Sequence, residues 1–504
     1  MSRKERAVLS FTRRRAIWVP VLLFALSFGA GGLRDALAAG LSPVVDMSPV
    51  VKVTGGRVKG APAEGFPGVT VYRGIPFAAA PIGALRWREP RPVTPWKGVR
   101  EPLEAVPACI QAPDRNHLPW TEEYMHQGAV SEDCLFLNVW TPKQQAAGAR
   151  LPVLVYVYGG GFTSGSIAVQ IYDGAALANK GAVIVEVNYR VGALGFLAHP
   201  DLTRESSHHA SGNYGLLDQV AGLRWVRQNI AAFGGDPGRV TVFGQSAGAL
   251  SVYLLTASPL AKGLLQRAIV QSGPGALAAF GWPSVKSLTS GREEAEMSGQ
   301  ALASAFAAKS IAELRAIDAQ RLLSPPAVQG SPPPRFGPDV DGWFLPADAE
   351  TIYAQHREND VPIIIGAMKD EASAFPGYTP ARAAEVGEAS IAGVDQVLTQ
   401  RAAAGRAVAY AYFFEHAIPW PEHPEYGAFH SGELPYVFDN LRLLNRPWTD
   451  ADRKLASVVS SYWINFATTG DPNGPGLPKW TPYRAGSRSF LVFAQTVDEK
   501  VLNH

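Results

Sequence analysis

Val240-Thr241-Val242-Phe243-Gly244-Gln245-Ser246-Ala247-Gly248 reads as a β-branched run, a glycine-flanked turn and the first residues of a helix that continues through Leu250 to Leu255. In that strand–turn–helix setting the pattern G-x-S-x-G forms a nucleophile elbow, a strained turn that lifts the serine above a sheet. Glycines two before and two after Ser246 fit the turn, because a Cβ at either place would collide with neighbouring backbone. Five residues with three fixed occur by chance in many chains. The weight of the pattern therefore comes from its surroundings.

Outward from this stretch lie further apolar runs: Leu135–Trp140, Val153–Tyr158, Ala182–Val187, Ala268–Gln271, Val361–Ile365 and Phe490–Phe493. Most are continuously hydrophobic rather than alternating, as expected of strands covered on both faces. Helical patterns lie between them. The clearest has Leu216, Val220, Leu223, Val226 and Ile230 at helical spacing, with Gly234-Gly235 after it. Strands alternating with helices predict an α/β fold with a mostly parallel sheet and helices on both faces. Reactive groups in such sheets gather beyond the carboxyl ends of the strands, where Ser246 stands.

The first 38 of the 504 residues read differently. Arginines and a lysine crowd the start, an uncharged apolar stretch runs from Ala16 to about Leu33, and Ala36-Leu37-Ala38 fits a small-residue cleavage site. This is the layout of an export signal, with a periplasmic or secreted destination. Thr12-Arg13-Arg14-Arg15 also resembles the twin-arginine route. The alternative is an uncleaved anchor, since the apolar stretch approaches the roughly 20 residues that span a bilayer. The whole chain carries a formal charge of +2, and the signal holds more than that surplus. Residues 39–504 are therefore slightly acidic, and nothing in them asks for nucleic acid or an anionic membrane surface. No linker, charge run or repeat divides this part, so a single domain with insertions is expected. Its two cysteines, Cys109 and Cys134, read as one disulfide in an exported protein, with two free thiols as the alternative.

A serine hydroxyl attacks a carbonyl only with a base in reach, an acid behind the base, and donors for the oxyanion that forms. Tyr158-Gly159-Gly160-Gly161-Phe162, after the run from Val153, supplies a glycine-rich loop. It lacks the Gly-Lys-Ser/Thr ending of a phosphate loop. The N–H groups of Gly160 and Gly161, with that of Ala247, are the expected oxyanion donors. Ten histidines and many carboxylates leave the base and acid open at this point. The pair His208-His209 invites a metal, but further ligands at usable spacing are not evident, so a solvated loop is expected.

Several further motifs, in order, resemble the type-B carboxylesterases, the α/β-hydrolase family of bacterial p-nitrobenzyl esterases and cholinesterases. They are Tyr72-Arg73-Gly74-Ile75-Pro76-Phe77-Ala78, Glu132-Asp133-Cys134-Leu135-Phe136-Leu137-Asn138-Val139, Asn188-Tyr189-Arg190-Val191-Gly192, and Asn213-Tyr214-Gly215-Leu216-Leu217-Asp218-Gln219. Phe233-Gly234-Gly235-Asp236-Pro237 and Gly470-Asp471-Pro472-Asn473 extend the likeness. The resemblance implies an α/β-hydrolase fold and hydrolysis of carboxylic esters through an acyl-enzyme on Ser246. It implies Glu371, in Lys369-Asp370-Glu371-Ala372, as the acid, although alanine replaces the usual glycine; Asp370 and Asp341 are its rivals. It implies His430, just ahead of Glu433-Leu434-Pro435-Tyr436-Val437-Phe438, as the base. No metal or organic cofactor is called for, and the partner is a small-molecule ester.

Two departures bear on substrate. Gln245 stands where the cholinesterases carry a glutamate beside a cationic group, which disfavours choline esters. The interval from Glu371 to His430 is shorter than usual for the family, which implies a more open pocket. Trp120, Phe162, Phe375, Trp420 and Trp448 are its candidate lining residues, each equally suited to the core. A lipase with an apolar lid and a non-catalytic binding protein on the same fold are the alternatives; a complete set of Ser246, Glu371 and His430 argues against the second.

Overall fold

Uninterrupted apolar runs such as Val153-Leu154-Val155-Tyr156-Val157 and Ile363-Ile364-Ile365 have no polar face to turn to water, so they stack side by side in the middle of a sheet. The computed structural model describes residues 49–113, 118–143, 148, 150–282, 284–327, 333–375 and 377–502, all within one compact unit. The segment read as an export signal lies outside the described residues.

Among the described residues eleven strands form the main sheet. Seven of them run mutually parallel, in the spatial order Val183–Val187, Leu151–Val157, Gly235–Gln245, Arg267–Gln271, Ile363–Met368, Ala409–Phe414 and Ser489–Phe493. Strands joined by antiparallel pairing complete the two edges: Phe136–Pro142, Phe66–Pro76 and Ala61–Ala63 on one side, Val497–Val501 on the other. Helices Ala247–Ala257 and Asp450–Thr469 pack on strands Leu151–Val157 and Gly235–Gln245, and helix Tyr214–Asn229 packs on the second of these. The last helix starts on a capping box between Thr449 and Asp452 and stops at Gly470, which is left-handed at φ 85°.

The order of these strands fixes where the chemistry sits. From Leu151–Val157 the chain moves outward to Val183–Val187, then returns past its starting point to Gly235–Gln245. The connections after strands Leu151–Val157 and Gly235–Gln245 therefore leave in opposite directions and open a crevice between their carboxyl ends. One end carries the glycine loop and the other carries Ser246.

Every apolar run singled out in the sequence contains a strand, within a residue or two at most ends. The strand expected at Val240–Phe243 is longer, because its amino end pairs Gly235 with Leu151 before a register shift. Strands Phe66–Pro76 and Ala409–Phe414 were not expected. The first holds Pro67, Gly68 and Gly74, which are poor strand formers, and the second follows an alanine-rich helix, Ala383–Ala403, that blurs its start.

Candidate active site

Ser246 sits between its strand and helix with φ 59° and ψ −127°, a conformation that a non-glycine residue adopts only when its surroundings enforce it. The surroundings are two close approaches. A Cβ on Gly248 would lie 2.1 Å from the Val157 carbonyl oxygen, and one on Gly244 would lie 2.6 Å from Gly248 backbone. The Ser246 N–H donates to the Gln271 carbonyl at 2.9 Å, which ties the turn to the neighbouring strand. Ala247 is the first residue of the helix, so its N–H has no partner within the helix.

The glycine loop lies directly against this turn. A Cβ on Gly159 would stand 3.0 Å from Ser246 Cβ. Gly160 and Gly161 follow with positive φ, exposed to the crevice. The carbonyl of Gly160 accepts from Thr163 N and Ser164 N, while the N–H groups of Gly160 and Gly161 enter none of the hydrogen bonds among the described residues.

Glu371 and His430 follow strands Ile363–Met368 and Ala409–Phe414, two and three places along the sheet from the Ser246 strand. Glu371 opens a turn after strand Ile363–Met368 and is fully buried. Its Oε1 accepts from Met368 N at 2.9 Å, and its Oε2 meets His430 Nδ1 at 2.5 Å. A carboxylate only accepts, so Nδ1 carries the proton and Nε2 presents its lone pair. Nε2 in turn lies 3.2 Å from the Gln245 side-chain nitrogen, which donates to it. Residue 245 precedes the nucleophile, so the imidazole stands at the turn, with its lone pair held by the amide beside Ser246. Among the described residues the Ser246 hydroxyl makes no hydrogen bond; such bonds tighten when substrate is bound.

The rival acids are occupied elsewhere. Asp370 Oδ2 accepts from Ala428 N at 2.8 Å, which pins the loop that carries His430, and Asp370 forms a bridge with Phe429. Asp341 accepts from Trp343 N and Leu345 N and shapes its own turn. His208 stacks on Trp343 at 3.8 Å, and no metal-holding group of His, Cys, Asp or Glu occurs among the described residues.

Behind the pair stands a carboxyl that the sequence did not single out. Glu433, three residues past His430, is buried and accepts from Gln271 Nε2 at 3.1 Å. Burial, with the Glu371 charge adding to it, pushes its pKa up to about 7. Its place in the His430 segment was visible; its burial beside Glu371 depends on the tertiary fold.

Aromatic rings surround the imidazole. Phe280, Phe375 and Trp120 have centroids 5.2, 5.8 and 6.5 Å from it. Phe280 was not among the expected residues, because nothing in its local sequence marks the short helix Pro274–Phe280 as a wall of the site. Phe162 is buried on the glycine loop against Phe196. Trp420 lies under the Arg446 guanidinium, and Trp448 packs edge-on against Tyr436. Cys109 and Cys134 are joined as a disulfide.

The chain matches the carboxylesterase family over residues 47–392 and 388–503. It is similar to the fumonisin B1 esterase of Sphingopyxis macrogoltabida, 36% identical over 83% of this chain and 82% of the relative. It is also similar to a human cocaine esterase, 34% identical over 84% and 83%, and to the para-nitrobenzyl esterase of Bacillus subtilis, 33% identical over 88% and 94%.

Proposed function

The chain belongs to the carboxylesterase family, and from that premise we propose that it hydrolyses small carboxylic esters with Ser246 as nucleophile, His430 as base and Glu371 as the acid behind the base. The observation that carries this reading is the buried Glu371–His430 pair, whose Nε2 accepts from the Gln245 amide at the strained turn holding Ser246.

In this reading the arriving ester displaces the Gln245 amide from Nε2, and the Ser246 hydroxyl takes its place. Ser246 Oγ bonds to the carbonyl carbon while its proton passes to Nε2. The oxyanion accepts from Gly160, Gly161 and Ala247 N–H, each worth roughly 100- to 1000-fold in rate at comparable sites. The C–O bond then breaks, and His430 returns the proton to the leaving alcohol. Water then gives its proton to the same nitrogen as it attacks the acyl carbon, the bond to Ser246 Oγ breaks, and Nε2 returns the proton to that oxygen as the acid leaves. Glu371 keeps the proton of Nδ1 in place and balances the imidazolium throughout.

The aromatic wall of Phe280, Phe375 and Trp120 suits apolar acyl or alcohol groups, and the uncharged Gln245 offers no partner for a quaternary ammonium. Residues 1–38 are read as an export signal, cleaved before the enzyme works outside the cytoplasm. The disulfide fits that compartment. No helix among the described residues is long and apolar enough to cross a membrane.

Hydrolysis of p-nitrophenyl esters from acetate to palmitate, with Ser246→Ala alongside, tests the proposal. Activity should be greatest on short chains and should vanish in the variant. Undiminished turnover by Ser246→Ala would remove the mechanism, and an optimum on palmitate would indicate a lipase.

A further inference from the structure

Three consecutive glycines have no side chains with which to hold a shape, so the geometry of their N–H groups must be imposed from outside. At the entry to the loop, Tyr189 OH donates to the Tyr158 carbonyl at 2.9 Å. Tyr158 OH donates back to the Tyr189 carbonyl at 2.8 Å, and the two rings stack at 4.3 Å. The exit, Gly165, returns against the entry: a Cβ there would lie 2.4 Å from the Tyr158 ring and 2.7 Å from the Gly159 carbonyl oxygen.

Gln111 grips this exit at two points. Its Nε2 donates to the Gly165 carbonyl at 2.8 Å, and its Oε1 accepts from Gly165 N at 2.8 Å. The same Nε2 donates to the Cys109 carbonyl at 3.0 Å, and the side chain is buried. Gln111 thus hangs the loop on the disulfide. Asn188 adds a parallel tie, donating to the Pro107 and Cys134 carbonyls and accepting from Ile167 N, all at 3.0 Å. Within the loop the Gly160 carbonyl accepts from both Thr163 N and Ser164 N, so Gly160 to Ser164 forms one hydrogen-bonded unit. A Cβ on Gly160 would sit 2.3 Å from the Ser164 carbonyl oxygen, which leaves no slack between them. Any displacement of Gly165 is therefore passed back to Gly160 and Gly161.

We propose that Gln111, anchored by the Cys109–Cys134 disulfide, is the positioning residue that sets the Gly160 and Gly161 N–H groups for the oxyanion. This rests on the assignment of those groups to the oxyanion in the preceding section. Gln111 acts through the loop and touches no reacting atom. Its loss weakens binding of the tetrahedral species while leaving ground-state binding of the ester largely alone.

The test is Gln111→Met, which keeps length and bulk and removes the amide. Turnover of p-nitrophenyl acetate is measured per titrated active site, beside the affinity for an alkyl trifluoromethyl ketone, whose hydrate-like adduct mimics the oxyanion. We expect kcat and ketone affinity to fall together by roughly 10- to 100-fold with KM within about threefold. A residue important for folding alone would lower the number of titratable sites and leave kcat per site unchanged. That result, or a rise in KM with kcat and ketone affinity unchanged, overturns the proposal. If Gln111→Met fails to melt cooperatively, Gln111→Glu is judged by the same criteria; it keeps the acceptor for Gly165 N and sets a carboxylate against the Gly165 carbonyl. Ser246→Ala, assayed in parallel, separates the two readings: activity in that variant removes the catalytic assignment itself, whereas an inert Ser246→Ala with a normal Gln111→Met removes only the role of Gln111.

Discussion

Replacing Gln245 by glutamate places a carboxylate where an amide nitrogen now donates to His430 Nε2 at 3.2 Å. In the native protein that donor occupies the imidazole lone pair and gives no stabilisation to a protonated Nε2. A carboxylate does the opposite: it accepts from a protonated Nε2 and holds the imidazolium. An opposite charge at this separation favours the charged form by about 1 to 3 pH units. Since the base works only when neutral, the acid limb of kcat/KM for p-nitrophenyl acetate moves to higher pH by that amount. On the acid side of both limbs the variant is slower by about 10- to 1000-fold, and it recovers toward the native rate as the pH rises. The difference in hydrogen bonding alone, about 1 kcal/mol, would account for only about a fivefold effect with no pH dependence. The assay is a full profile of both proteins from about pH 5.5 to 9.5. Superimposable profiles would refute the placement of Gln245 against the base.

Two further outcomes follow from the same region. Glu433 has a folded pKa of about 7 against an ordinary 4.5, raised by burial and by Glu371, so the folded protein binds its proton more tightly than the unfolded chain does. Stability is then undiminished below about pH 4.5, falls as the pH rises through about 7, and levels off above. Glu433→Gln keeps the acceptor for Gln271 and should gain about 3 kcal/mol relative to the native chain between pH 5 and 8, read from urea unfolding at each pH. A constant difference between the two across that interval contradicts the buried environment. The disulfide closes a loop of 25 residues, so Cys109→Ser with Cys134→Ser should lose roughly 3 kcal/mol in the same assay under oxidising conditions; an unchanged midpoint would show that the loop adds nothing to stability.

What the sequence disclosed, and what it hid, divides along a physical line. Local pattern was enough for the central strands, because a strand buried on both faces must be apolar throughout, as Val153–Val157 and Ile363–Ile365 are. It was also enough for the Ser246 turn, where a Cβ on Gly244 would meet the backbone of Gly248 four residues on, so the turn itself demands glycine. Ala409–Phe414 escaped because alternating alanine and aromatic residues after an alanine-rich helix do not signal a covered strand. Phe280, Glu433 and Gln111 escaped for another reason. Each acquires its place from a partner distant in sequence: Phe280 from His430, Glu433 from Gln271, Gln111 from Gly165. No single-sequence pattern encodes such pairs. For Trp420 and Trp448 the sequence left a core role and a pocket role equally open, and their contacts with Arg446 and Tyr436 come from the tertiary fold.

The most direct measurement of the central claim is covalent: the protein is trapped with a short-chain alkyl fluorophosphonate, digested, and the adduct located by mass spectrometry. One equivalent on the peptide containing Ser246, lost in Ser246→Ala and formed far more slowly in His430→Ala, is the predicted result. An adduct on any other residue, or labelling that is indifferent to His430, would contradict the account.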